Sequence, residues 1–129
     1  MKETRERILD AAIRVFGKNG VSGATTREIA RVAQVNEVTL FRYCKSKDEL
    51  LRQVVSQCSR RFERVFAEAP FETPDDLRRT VRAFAATYVR MQRNNEDFVR
   101  TFFGELNRHH QLCRSLFVES SRPVRQKFI

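Results

Sequence analysis

The chain has 129 residues, of which 41% are hydrophobic, and its 25 Lys and Arg against 16 Asp and Glu give a formal net charge of +9. This composition excludes low-complexity disorder, and the scarcity of Gly (four) and Pro (three) favours long helices over many short strands. The positive charge attracts polyanions, either nucleic acid or an anionic membrane surface, and charge alone does not choose between them.

The cysteine pattern and the absence of a long apolar run predict a soluble cytoplasmic protein. Cys44, Cys58 and Cys113 form no CxxC pair, so a disulfide framework is not expected. The apolar stretch at 83–89 is far shorter than the roughly 20 residues of a membrane span. No apolar targeting segment follows the N-terminus.

The first predicted helix covers residues 4 to about 19. Its apolar residues recur every three or four positions, as on one face of a helix. Thr4 is expected to cap the start, and Gly20 is expected to end the helix in a left-handed conformation. Gly17 lies inside the helix, at a cost of about 1 kcal/mol relative to alanine.

Two short helices follow, at 25–33 and 37–44. Thr25 and Glu28 have the spacing of a capping box, in which each side chain accepts from the other residue's backbone amide. Asn36 is a strong N-cap for the second helix, and Leu40 is expected to point inward from it. Val35 is expected to fill the angle between the two helices.

The remaining pattern is also helical. A helix is predicted from 47 to about 69 with Ser46 as its cap, and another from Pro74 to Arg93, where Asn94 and Asn95 break it. Further helices are expected over 98–106 and 112–117, and Ser121 with Pro123 indicates the start of one more. The fold class is therefore all-α.

The pair of short helices with a three-residue link is a helix-turn-helix pattern, whose second helix enters the major groove of DNA. The runs Arg5–Ala12, Thr25–Ala30, Val35–Tyr43 and Lys45–Leu51 resemble the DNA-binding domain of tetracycline-repressor-type (TetR) regulators. The resemblance covers about residues 2–60 and implies an N-terminal three-helix DNA-binding bundle. Residues 61–129 would then form a partial helical effector and dimerisation domain.

The resemblance also implies which side chains face DNA. Positions near the start of the supporting helix and on the recognition helix are expected to contact bases or phosphates: Thr25, Thr26, Arg27, Asn36, Glu37, Val38, Thr39, Phe41, Arg42, Tyr43, Lys45 and Lys47. Phe41 stands where the family usually has Tyr, so a phosphate-contacting hydroxyl is lost. Gln34 stands where Gly is common, so either the turn accepts a left-handed Gln or its geometry shifts. Cys44 stands where an aromatic residue is common.

Several residues have a second interpretation. Arg42 could be only a solvated charge, although the motif favours DNA contact. Glu37 could accept from a cytosine amine or could favour the positive end of its helix. The phenylalanines Phe98, Phe102 and Phe103 could form part of the core or line a pocket, and the first interpretation is preferred. Cys58 and Cys113 are expected to be small core residues. His109 and His110 are adjacent and lack ligand spacing, so no metal site is expected.

The implied function is a homodimeric, sequence-specific regulator of a double-stranded DNA operator, usually a repressor that an apolar small molecule releases. The alternative is an effector-independent architectural or cell-cycle DNA-binding protein of the same fold. No catalytic motif is present, and no enzyme activity or cofactor is expected. The chain is shorter than typical family members, which predicts an open apolar face and self-association. Candidate effector-pocket residues are Phe62, Phe66, Phe84, Tyr88, Phe102 and Phe103.

Overall fold

The computed structural model describes residues 2–67, 72–108 and 110–128 and, within these, all side chains except those of residues 61, 62, 66, 67, 123, 124, 127 and 128. Six helices and no strand occur in these ranges, as the all-α prediction requires. In chain order they are α1 (Thr4–Gly23), α2 (Thr26–Ala33), α3 (Glu37–Tyr43), α4 (Lys47–Ala67), α5 (Pro74–Asn107) and α6 (Gln111–Phe128).

Helix α1 packs its apolar face, including Ile8, Ala12 and Phe16, into the core. Gly20 has φ 77° and ψ 173°, so the regular helix ends there as predicted, and a further turn reaches Gly23. The predicted cap at Thr4 is wrong. The N-cap position belongs to Glu3, which makes no side-chain capping bond, and Thr4 is already helical.

Helices α1 and α5 approach each other closely at Gly17. A Cβ atom on this residue would lie 2.8 Å from the backbone nitrogen of Phe98. The Thr101 hydroxyl donates to the Gly17 carbonyl oxygen at 2.9 Å, which fixes the two helices at this point. The glycine that weakens α1 therefore permits the helix crossing on which the core depends.

Helix α5 begins at a complete capping box. The Thr73 hydroxyl accepts from the Asp76 amide, and the Asp76 carboxylate accepts from the Thr73 amide. The predicted break at 94–95 is confirmed as a kink, because Asn95 has φ −138° and ψ 35°. Helix α4 ends at Ala67, and the predicted end near residue 69 lies outside the described residues.

The apolar face predicted for the first half of α5 is present but open to solvent. Its four large members, each more than a third exposed, are Leu77, Val81, Phe84 and Tyr88. The side chains that this half of α5 buries are Thr80 and Thr87, whose hydroxyls donate to backbone oxygens four residues earlier. The predicted open apolar face is thus confirmed among the described residues.

The prediction of a separate helix starting at Ser121 and Pro123 is wrong, because α6 continues through both positions. The Ser120 and Ser121 hydroxyls donate to the carbonyl oxygens of Phe117 and Val118. The Arg125 guanidinium also donates to the Val118 oxygen. These side-chain bonds stabilise the helix where a proline removes one backbone donor.

One continuous buried cluster joins the first and last parts of the chain. Phe16 of α1 and Leu50 of α4 belong to it together with Phe98 and Phe102 of α5 and Cys113 of α6. The short helices α2 and α3 add Ile29 and Leu40 to the same cluster. Among the described helices, none has the length and hydrophobicity that crossing a membrane requires.

Candidate nucleic-acid interface

Helix α2 starts at a side-chain cap. The Thr25 hydroxyl accepts from the Glu28 amide at 3.1 Å, as predicted. The other half of the predicted capping box is wrong, because the Glu28 carboxylate accepts from the Arg31 guanidinium at 2.6 and 2.9 Å. This bond holds the pKa of Glu28 below its usual range. A nearby guanidinium has therefore replaced the backbone amide as the partner of Glu28.

The turn between α2 and α3 is tight and contains a left-handed glutamine. Gln34 has φ 61° and ψ 42°, which is the first of the two predicted alternatives. The Gln34 backbone amide donates to the carbonyl oxygen of Arg31 at 3.1 Å, and the Val35 amide donates to that of Ala30 at 3.0 Å. Val35 is half-buried against the core. The turn thus keeps its close geometry without a glycine.

Arg7 of α1 donates hydrogen bonds to this turn, a role that was not predicted from the sequence. One guanidinium nitrogen, Nη2, donates to the carbonyl oxygens of Ala33 at 2.8 Å and Gln34 at 3.0 Å. These oxygens lie at the C-terminal end of α2, where a positive charge is favourable. No local spacing reveals this contact, because 26 or more residues separate its partners.

Helix α3 buries only Leu40 among its seven residues. The Asn36 side chain accepts from the Thr39 amide at 2.8 Å and caps the helix as predicted. Val38 is 66% exposed, Phe41 44% and Tyr43 42%, and Arg42 is also exposed. Burial of Arg42 and Tyr43 would have contradicted a role in a groove. The helix instead presents apolar, aromatic and cationic side chains to solvent.

The starts of α2 and α3 are joined through Glu37. The Thr26 hydroxyl donates to Glu37 Oε2 at 3.3 Å, and both residues are half-buried. The bond links two residues that were each predicted to contact DNA. It fixes the Glu37 carboxylate beside the N-terminus of α3, a geometry compatible with both predicted roles.

Cationic side chains flank the two helices. Arg27 and Lys45 are exposed, and Lys47 is half-buried with its Nζ donating to the Ser22 oxygen at 3.4 Å. Ser46 accepts from the Glu49 amide and caps α4 as predicted. Lys47 is therefore held between the last turn of α1 and the start of α4, close to the two short helices.

A separate apolar cavity of about 300 Å³ lies between α4, α5 and α6. Of the predicted pocket residues, Phe84, Tyr88, Phe102 and Phe103 line it, whereas the side chains of Phe62 and Phe66 lie outside the described residues. Phe98 and Phe102 belong to the buried core and also line the cavity, so the two interpretations, core and pocket wall, both apply to these residues. The other lining residues are Val55, Cys58, Ser59, Met91, Val99, Phe117, Ser120 and Ser121.

Cys44, Cys113 and His110 take part in the packing and hydrogen bonding of the fold. Cys44 and Cys113 are buried, and burial raises the pKa of both thiols, that of Cys113 to about 11. His110 Nδ1 accepts from the Cys113 amide at 3.4 Å at the start of α6, while His109 lies outside the described residues. Among the residues described, no group of three His, Cys, Asp or Glu side chains could hold a metal ion.

Comparison with known proteins agrees with this geometry. Residues 8–54 match the family model described as bacterial regulatory proteins, tetR family. The HTH-type transcriptional regulator YvkB of Bacillus subtilis is 46% identical over 59 residues, which cover 46% of this chain and 31% of that protein. The HTH-type transcriptional repressor KstR of Mycolicibacterium smegmatis is 42% identical over 67 residues, or 52% and 31% of the two chains.

A solved structure extends the likeness beyond the matched segment. The multidrug binding protein EbrR, complexed with imidazole, aligns with a TM-score of 0.68 and 25% identity over 95% of this chain and 66% of that one. The chain spans about a third of the length of the two sequence relatives. The family model, the relatives and the fold agree with this helix-turn-helix, and residues 8–54 place this part of the chain in the tetR family of bacterial regulatory proteins.

Proposed function

We propose that the chain is a sequence-specific DNA-binding transcription regulator, and specifically a repressor, whose helix α3 enters the major groove. The observation that carries this proposal is the face of α3: a capped helix that buries only Leu40 and exposes Val38, Phe41, Arg42 and Tyr43. Because α3 buries only Leu40, its other side chains contribute little to the stability of the core, and their exposure favours a role in binding. In the proposed complex, these exposed side chains contact base edges in the major groove.

Each part of the motif has a proposed role. Thr25, Thr26 and Arg27 at the start of α2 lie near backbone phosphates, where helix N-termini favour anions. Glu37, Val38 and Arg42 face base edges. The remaining polar residues are proposed to contact phosphate or sugar, since they flank the recognition face: Asn36, Thr39, Tyr43, Lys45 and Lys47. Phe41 has no hydroxyl and would contact DNA through its ring alone.

We infer a homodimer, because the resemblance to TetR-type regulators implies one and a two-fold dimer of helix-turn-helix units reads two half-sites. Residues 2–60 form the DNA-binding part and residues 61–129 the helical effector and dimerisation part in this proposal. The open apolar face of α5 supports self-association. The two copies of α3 would then read half-sites separated by about 34–36 Å or a multiple of that distance.

An apolar small molecule is the proposed effector. The cavity of about 300 Å³ has phenylalanine, tyrosine and methionine side chains around it, which suits a ligand without charge. Its walls come from α4, α5 and α6, and α4 begins at Lys47 of the DNA-facing surface. Occupation of the cavity would shift α4 and thereby change the position of α3 relative to DNA.

Selection of bound duplexes from a random pool tests the proposal. The selected sequence is expected to bind at least about 10³-fold more tightly than random DNA at physiological salt. A ratio near one would contradict sequence-specific regulation and would support the effector-independent architectural alternative. Titration of the selected duplex with salt then counts the phosphates that the protein neutralises.

A further inference from the structure

The recognition helix carries an exposed apolar pair that the core does not use. Val38 and Phe41 stand three residues apart and therefore on neighbouring positions of one face of α3. Val38 is the more exposed of the two, with two thirds of its surface in solvent. Neither residue belongs to the buried cluster, which α3 enters through Leu40.

The surroundings of this pair favour a polyanionic partner over an apolar protein surface. Arg42 and Lys45 are exposed just beyond it in the chain, and Lys47 is held near the end of α1. The chain as a whole has an excess of nine positive charges. An apolar pair set among cations is suited to a surface that is anionic overall but carries a small apolar group.

We infer that Val38, with Phe41 one turn later, recognises the C5-methyl groups of thymines in each operator half-site. The inference rests on the proposed function and adds the chemistry of the base that is read. In the major groove, the thymine methyl is the apolar feature of the base edges, and its burial against valine removes apolar surface from water. Adenine, guanine and cytosine offer polar groups there, which neither side chain can bond.

The positions of both side chains are well defined before DNA binds. Asn36 caps α3, and the Thr26–Glu37 bond ties its first turn to α2. A β-branched side chain in a helix has one strongly preferred rotamer, so Val38 loses little conformational freedom when it contacts a methyl group. The two apolar side chains are therefore already positioned for binding, and α3 needs no rearrangement.

Replacement of thymine by deoxyuridine, which removes only the methyl group, tests this inference on the selected duplex. With the full chain, one or more positions in each half-site are expected to lose about fourfold in affinity for each methyl group removed. Val38→Ala should bind the thymine duplex more weakly and should abolish the difference between thymine and deoxyuridine at one of these positions. Phe41→Ala should do the same at a neighbouring position.

Two further variants make the result specific. Val89→Ala removes another exposed valine, on α5, and should keep the full response to deoxyuridine. Val38→Thr keeps the shape of the side chain and guards against loss of folding, and it should show an intermediate response. Binding that is indifferent to deoxyuridine at every position, or a response that persists unchanged in both alanine variants, overturns this inference alone. Failure to bind any duplex overturns the proposed function and this inference with it.

Discussion

At the scale of single residues, the turn of the motif depends on two side chains from distant parts of the sequence. Gln34 adopts a left-handed backbone, and Arg7 donates to its carbonyl oxygen and to that of Ala33. The left-handed conformation of Gln34 was one of the alternatives that the sequence offered, since glycine is absent there. The contribution of Arg7 could not be predicted, because it arises only when α1 packs beneath α2.

Gln34→Gly is predicted to stabilise the fold by about 0.5 kcal/mol. Glycine removes the steric cost of the left-handed region, and its larger conformational entropy in the unfolded chain offsets part of that gain. Urea denaturation followed by circular dichroism measures the change. Arg7→Ala should act in the opposite direction, since it leaves two carbonyl oxygens without their donor. A loss of stability in Gln34→Gly would show that the glutamine side chain has a role that its backbone angles do not reveal.

Cys113 makes stability sensitive to alkaline pH. Burial is the main cause that raises the pKa of its thiol from 9.0 to about 11, and Glu105 adds to the shift. Because the folded state prefers the neutral thiol, its contribution is complete below pH 9 and is lost as pH rises from 9 towards 11. The free energy of unfolding should fall more steeply over this interval in the parent chain than in Cys113→Ala. Equal slopes for the two proteins would contradict the assignment.

At the scale of elements, the sequence predicts those features that depend on local contacts. The caps at Thr25, Asn36 and Ser46 and the kink near Asn95 follow from side chains close to the backbone groups concerned. The incorrect prediction of a helix start at Ser121 has a physical reason as well. A serine before a proline is a good N-cap, but the same hydroxyl can bond within a helix that has already begun.

The crossing of α1 and α5 gives a prediction with a matched control. Gly17→Ala should lower the free energy of unfolding by about 1–3 kcal/mol, because the new methyl group would meet the backbone of Phe98. Gly104→Ala places the same methyl group in open space on α5. It should raise stability by up to about 1 kcal/mol through helix propensity. Thermal and urea denaturation of the two variants should thus change in opposite directions, and stabilisation by both would disprove the close contact.

At the scale of the whole molecule, the two faces of the protein differ in chemistry. The motif face combines cations with a few exposed apolar groups, whereas the first half of α5 exposes an apolar row that includes Leu77 and Val81. The apolar row follows from helical spacing in the sequence, whereas the residues of the motif face were implied by the resemblance to TetR-type regulators. Of the predicted pocket residues, Phe84, Tyr88, Phe102 and Phe103 line the cavity, whereas the lining residues from α4 and α6 were not predicted, because these helices meet α5 only in the folded chain.

Lys47 is predicted to act through charge alone. Lys47→Ala should weaken binding to the selected duplex and to random duplexes by the same factor, and should reduce the slope of log affinity against log salt by about one unit. The exposed arginine Arg93 on α5 provides a control of equal charge change. If Arg93→Ala reduces the slope as much as Lys47→Ala, the effect belongs to net charge and not to a phosphate contact.

The central claim, that α3 reads base edges, is tested most directly by Arg42→Ala on the selected duplex and on its single-base variants. Affinity for the selected duplex should fall by about 1–3 kcal/mol, and discrimination should relax at one position in each half-site while the other positions stay selective. Arg90→Ala, which changes the same charge on α5, should leave the base preferences unchanged. Unaltered base preferences in Arg42→Ala, or an equal loss of discrimination in Arg90→Ala, would contradict the account.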